Sequence, residues 1–417
     1  MTPLPRYRLF QVTGIELEYP TVDLSLRPRC LVEPLFRHLA GRPTSEVIRG
    51  DTVFSNELAA HVFEIKTDGP RRSLAAAERQ LVRGLRMVID VLHRKFGACL
   101  LPTGMHPFMD PRQGQLWPRA GRAIYETYAS LFETRGHGWM NVQSCHINLP
   151  FGTERETVLL HNAIACLMPY LPALAASSPV YDGRLGASAD NRLAFYRTNQ
   201  KRVPQITGKV VPEFMSSSAQ YKRDIFGPIY RELDKIKGGE RLRHEWINSR
   251  GAIVRFNRRA IEIRTLDTQE CVKMDIAIAS FVRAALKTMV QWLTQGRMSL
   301  PQHGMLVEDF DRTVAAGSRG EVSAGHFKPW LPRSGRPATS GAVLLALLAN
   351  CEREVPAAEK KYLPLVERRL RGGSLSERMR AVIERRCGRS ESRMPDVIQA
   401  VYGELAACLE NNEPWTR

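Results

Sequence analysis

Gly14-Ile15-Glu16-Leu17-Glu18-Tyr19-Pro20 sets acidic side chains between apolar ones. On a strand, residues two apart share a face. Ile15 and Leu17 therefore turn inward, and Glu16 and Glu18 project together from the other side. At about 4 Å and an effective dielectric near 20, two such carboxylates repel by roughly 4 kcal/mol. If both stay charged and partly buried, a cation must offset that cost. An exposed strand with two solvated glutamates fits this stretch equally well, so the decision rests on the rest of the chain.

Three further stretches carry the same alternation. In Phe63-Glu64-Ile65-Lys66-Thr67, Phe63 and Ile65 take the apolar face and Glu64 the other, with Glu57 seven residues upstream. In Gln143-Ser144-Cys145-His146-Ile147-Asn148-Leu149, His146 and Asn148 share a face. Neutral imidazole and amide oxygen can both coordinate a cation. In Ala260-Ile261-Glu262-Ile263-Arg264, Glu262 and Arg264 project together, a carboxylate for a metal beside a guanidinium for a phosphate. A surface salt bridge explains that last pair as well when it is taken alone. Jointly, five glutamates and a histidine lie on polar faces of apolar-backed strands. Such oxygen-rich ligand sets suit magnesium or manganese. Chemistry alone points to metal-assisted phosphoryl transfer on a sheet.

The surrounding pattern gives the fold class. Strands are expected over Leu9–Tyr19, Val62–Thr67, Ala98–Leu101, Met140–Leu149, Ala252–Phe256 and Ala260–Leu266, the last two joined tightly through Asn257-Arg258-Arg259. Helices are expected at about Ser73–Phe96, Arg119–Glu133 and Asp275–Leu293. Another should start in a capping box at Thr153-Glu154-Arg155-Glu156 and run to about Ala176, before Ser177-Ser178-Pro179. From about Ser340 the pattern is helix after helix. No repeating βαβ unit, GxGxxG or Walker-type loop appears. The expected class is α+β, with helices on a largely antiparallel sheet. Residues 1–300 form the expected catalytic region and 301–417 a mainly helical region packed on it. The Pro/Ser/Gly-rich stretch Leu331–Gly341 is the best candidate for a linker, separating sub-regions rather than independent domains.

With 417 residues, 43% hydrophobic and 25% charged, the composition is that of an ordinary globular chain. No unbroken run of about 18 apolar residues predicts a membrane span, and Met1–Arg8 lacks the apolar segment of a secretory signal. Eight cysteines without a CxxC argue against a zinc knuckle or disulfide framework and suit a reducing cytoplasm. The net charge of +17 attracts anions, nucleotides and acidic metabolites among them. Arg368-Arg369-Leu370-Arg371 and Arg385-Arg386 are interleaved with glutamate and read as solvated helix faces.

These motifs, with Thr103-Gly104-Met105-His106-Pro107-Phe108, Leu171–Pro179 and Asp267-Thr268-Gln269-Glu270, resemble in order and spacing those of the bacterial and plant-type glutamate–cysteine ligases and related carboxylate–amine ligases. The resemblance covers about residues 10–290. It departs at His146-Ile147-Asn148, where the family often has His-x-His, and at Val272, where proline is common. It implies a curved, glutamine-synthetase-like sheet lining a funnel. Glu16, His146 and Glu262 would hold one magnesium (or manganese) ion on the ATP phosphates. Glu18, Glu57 and Glu64 would hold a second near the carboxylate substrate. Arg264 would bind ATP and stabilise the transferring phosphoryl group, with Glu262 beside it in catalysis. Asn148, Arg192, Arg255 and Arg258 would contact the substrate, and His106 would be structural. The implied partners are ATP, glutamate or a similar carboxylate, and cysteine or another amine. Homo-oligomerisation stays open. The rival reading is a non-catalytic, basic nucleic-acid-binding or scaffold protein on a degenerate ligase fold, in which some of the acidic ligands should have been lost.

Overall fold

The computed structural model describes residues 6–119, 121–332, 337–388 and 390–417. Its centre is an antiparallel sheet. In chain order its strands are β1 (Gly14–Asp23), β2 (Glu46–Arg49), β3 (Thr52–Asn56), β4 (Val62–Thr67), β5 (Ala98–Leu100), β6 (Ser144–Pro150), β7 (Ala252–Arg255) and β8 (Ala260–Asp267). The spatial order is β2-β3-β4-β1-β6-β8-β7, with β5 also pairing β1. β1 is the hinge of this order. It pairs β6 through Leu17 and β5 from Thr21 onward, and Pro20, with no N–H to donate, falls between the two pairings.

The apolar residues of the alternating strands, Ile15, Leu17, Phe63, Ile65, Ile147, Ile261 and Ile263, are almost wholly buried on one face. Of the helices α1 (Val32–Ala40), α2 (Leu74–Val91), α3 (Arg122–Leu131), α4 (Glu154–Leu167), α5 (Asn191–Tyr196) and α6 (Val272–Thr294), α2 and α4 pack against the sheet and α6 packs on both, whereas α3 and α5 carry residues that face the cavity over the polar side. α6 is long and apolar enough to cross a bilayer, but 83% of its apolar window is buried inside the protein. It is a core helix, hydrophobic nearly all round because helices cover it on several sides. The C-terminal helices Ser340–Cys351 and Leu363–Gly372 pack on it.

Several expectations shift for physical reasons. The capping box at Thr153 and Glu156 is formed, with both halves present. The helix it starts ends at Leu167, because Pro169 and Pro172 supply no N–H and the chain continues as two short turns. The predicted strand Met140–Leu149 starts only at Ser144. His137–Met140 is a helical turn, held away by Asn141, whose side chain bonds the His106 N–H (2.7 Å) and carbonyl (2.9 Å). The first strand starts at Gly14 rather than Leu9, after a turn with φ +60° at Phe10. Helix α1 and the β2–β3 hairpin were not read from the sequence. Residues 333–336 of the expected linker, like Met1–Pro5, lie outside the described residues. Beside them, Ala338–Thr339 pairs with Glu321–Val322. Arg369 is not on a solvated face. It is 2% exposed and bonds Glu270 at 2.5 Å.

Candidate active site

The register brings the acidic residues together. On β1, Glu16 lies between Lys66 of β4 and His146 of β6, and Glu18 lies beside Glu64. Glu262 of β8 is opposite Asn148. A cavity of about 440 Å³ opens over this polar face. It is lined by Glu16, Glu18, Glu57, Glu64, His146 and Glu262, and by Arg192, Arg255, Arg258 and Arg264. Asn148 lies outside the lining, its amide donating to Glu16 Oε1 at 3.3 Å.

Two groups within this cluster place ligand atoms within 4.8 Å of one another: Glu16, Glu64 and His146, and Glu18, Glu57 and Glu64. Carboxylate oxygens with one imidazole form a donor set that fits magnesium or manganese. The imidazole of His146 sits between two acids, Nδ1 at 3.2 Å from Glu16 and Nε2 at 3.8 Å from Glu18. Ser144 ties them further. Its N–H (2.7 Å) and hydroxyl (3.0 Å) donate to Glu18, and its oxygen lies 2.8 Å from His146 Nε2.

The electrostatics record four carboxyls crowded into little water. Burial, then the charges of Glu18 and Glu64, push Glu57 well above the ordinary carboxylate range. Burial, then Glu16, raise Glu64 to about 7. Burial would raise Glu16 too, but the hydrogen bond and charge of His146, with Lys66 behind, carry it below the usual range. Burial would lower His146, yet the bond to Glu16 and the charges of Glu18 and Glu262 raise it.

At the other end, Glu262 is 2% exposed and accepts from Arg255 Nη1 at 2.8 Å while also pairing Arg264. The register shifts between Ile263 and Leu266, across Arg264 and Thr265. Arg192, on capped α5, is pinned through Nε to buried Asp267, and its Nη2 is buried without a partner. The Nε groups of Arg255 and Arg264 are also buried and unpartnered. Buried N–H groups of this kind are expensive unless something accepts from them, and an anion in the cavity would. Arg258, half exposed on the β7–β8 turn, comes within 3.9 Å of Glu16.

One wall was missed by sequence reasoning. Tyr125, Tyr128, Trp139, Tyr196 and Trp246 also line the cavity. Tyr128 holds them together, its ring 5.3 Å from Trp139 and 6.0 Å from Trp246. Tyr125 and Tyr128 share α3, but Trp139, Tyr196 and Trp246 come from other turns and helices with no shared motif, so no spacing announced the wall. Lys66 was also unassigned, although its alternation with Glu64 put it on the same face.

The family model for Glutamate-cysteine ligase family 2 (GCS2) matches residues 12–401. An "Uncharacterized protein" of Archaeoglobus fulgidus is 35% identical over 96% of this chain and 99% of its own. A protein of Ectopseudomonas mendocina named "Putative glutamate--cysteine ligase 2" is 24% identical over 84% of each chain. Among solved structures, the glutamate–cysteine ligase of Francisella tularensis in complex with AMP has the same fold, with a TM-score of 0.57 at 14% identity, over 96% of this chain and 92% of that one. A bifunctional glutathione synthetase of Pasteurella multocida gives 0.59 at 12% identity, covering 95% of this chain and 53% of that one. Fold and site together define an ATP-dependent ligase of the carboxylate–amine class. The chain belongs to glutamate-cysteine ligase family 2.

Proposed function

We propose that the protein joins the γ-carboxylate of glutamate to the amine of cysteine through an acyl phosphate, forming γ-glutamylcysteine. The observation that supports this reading is the convergence of Glu16, Glu18, Glu57, Glu64, His146 and Glu262 from separate segments onto one cavity edged by arginines. Names borne by relatives of the family support the choice of substrates. Residues 16–264 supply the whole lining, so residues 1–300 are taken as the catalytic region and 301–417 as its support. The free cysteines suit a reducing cytoplasm.

In this reading Glu16, His146 and Glu262 hold one divalent cation, and Glu18, Glu57 and Glu64 a second. When bound, the two cations supply charge that lets a triphosphate and a carboxylate share one cavity. The γ-carboxylate oxygen of glutamate attacks the γ-phosphorus of ATP, and ADP leaves. Arg264, its head fixed by Glu262, stabilises the charge on the transferring phosphoryl group. The open N–H groups of Arg192 and Arg255 donate to carboxylate or phosphate oxygens. The amine nitrogen then attacks the acyl carbon, phosphate leaves and the amide forms. Tyr125, Tyr128, Trp139 and Trp246 cover the reacting carbon and keep water from hydrolysing the acyl phosphate.

The test supplies ATP, magnesium, glutamate and a panel of amines, cysteine first, and follows ADP and phosphate. Glutamate- and cysteine-dependent release is expected. Release with a different pair would reassign the substrates, and none with any pair would sink the ligase reading of these residues.

A further inference from the structure

Among the residues that line the cavity, Lys66 is the single lysine. Its ammonium lies 2.5 Å from Glu64 Oε1 and 3.2 Å from the Ser55 hydroxyl, which itself donates to the same oxygen at 2.9 Å. Glu64 is the residue common to both cation-capable groups among the described residues. Lys66 therefore holds a carboxylate that lies within ligand range in both groups and that the proposed second cation takes as a ligand. The local charges explain why. Glu16, Glu18, Glu57 and Glu64 bring four carboxyls together, faced by Lys66 and His146; of the arginines that line the cavity, Arg258 comes within 3.9 Å of Glu16, while Arg255 and Arg264 pair with Glu262 and Arg192 with Asp267. A lysine side chain is a point charge on a flexible stem, suited to leave one anion for another.

We propose that Lys66 is a built-in counter-ion for the acidic floor, and that it must leave Glu64 before a divalent cation can occupy that carboxylate. This rests on the metal assignment made above. A cation arriving alone displaces the ammonium and leaves it without a partner. A cation arriving with a triphosphate gives the released ammonium a new anion within reach of its stem. Lys66 thus couples metal and nucleotide loading, so that the empty enzyme binds cations weakly and the nucleotide-bound enzyme binds them tightly.

The test is Mn²⁺ binding followed by electron paramagnetic resonance at pH 8.5, with and without a non-hydrolysable ATP analogue. Wild type is expected to bind Mn²⁺ weakly alone and tightly with the analogue. Lys66→Met should bind Mn²⁺ alone about tenfold tighter than wild type, and its tightening by the analogue should shrink by a similar factor. Lys66→Arg should restore the wild-type pattern. Arg258→Met removes a cavity cation that does not touch Glu64, and should give less than a third of the Lys66→Met effect. Should the methionine variant not fold, Lys66→Gln, which keeps a donor for Glu64, carries the same expectation. Mn²⁺ affinity unchanged or weakened in the Lys66 variants overturns the proposal while leaving the metal assignment standing. An equal gain in Arg258→Met overturns it as well, since simple charge removal would then suffice. No Mn²⁺ binding by wild type under either condition overturns both readings together.

Discussion

Glu262→Gln separates a site residue from a scaffold residue. Glu262 lies between two guanidiniums, 2.8 Å from Arg255 Nη1 and paired with Arg264. Burial would raise its pKa, but Arg264, His146 and Arg255 together lower it. Glutamine keeps the shape, removes the charge and turns one acceptor into a donor facing an arginine. Removing one partner of a buried ion pair costs about 3–5 kcal/mol. The Arg255 and Arg264 side chains retain 9% and 18% exposure to the cavity. Water therefore recovers part of the loss, and the lower end, about 3 kcal/mol, applies. At a melting entropy of about 2.1 cal/mol/K per residue, a chain of 417 residues should melt roughly 3–4 °C lower. Turnover should fall by at least about 10³-fold, since Arg264 loses its fixed head and the cation one ligand. Calorimetry and a coupled ADP assay read the two effects separately. Near-wild-type turnover would refute the role of Glu262. A fall in melting temperature beyond about 10 °C would refute the argument in another way, by making Glu262 a folding residue first.

Glu57→Gln should do the opposite to stability. Glu57 has no ion-pair partner among the described residues, and its carboxyl is raised by burial and by Glu18 and Glu64. A raised carboxyl costs stability as pH climbs above its unfolded value of 4.5. The variant should therefore melt higher than wild type at pH 8 without metal, lose that advantage near pH 4, and be inactive. A lower melting point at pH 8 would contradict the crowding of charges. Trp246→Ala opens the aromatic wall, and glutamate-dependent ATP hydrolysis without amide formation should rise relative to coupled turnover. An unchanged ratio of phosphate to amide would remove that wall from the mechanism.

The acidic face was legible because a strand's period of two is simple, and Ile15, Leu17, Phe63, Ile65, Ile147 and Ile261 fix which face is buried. The register that sets Glu16 between Lys66 and His146 was not, since nothing local in β1 says which strands flank it. The C-terminal helices hid their contacts for a related reason. Arg369 sits in an arginine-rich run that looks solvated, and only the fold brings buried Glu270 to it. The early end of α4 was readable from Pro169 and Pro172, had their missing N–H groups outweighed the apolar pattern. The aromatic wall drew on Tyr125, Trp139 and Trp246, more than a hundred residues apart from first to last, and only tertiary structure assembles it.

The central claim is that this cavity activates a carboxylate by phosphorylating it. Turnover with glutamate labelled with ¹⁸O in its carboxylates, followed by mass spectrometry of the released phosphate, tests it most directly. One labelled oxygen in each phosphate is the expected result. Unlabelled phosphate accompanying amide formation would contradict the account.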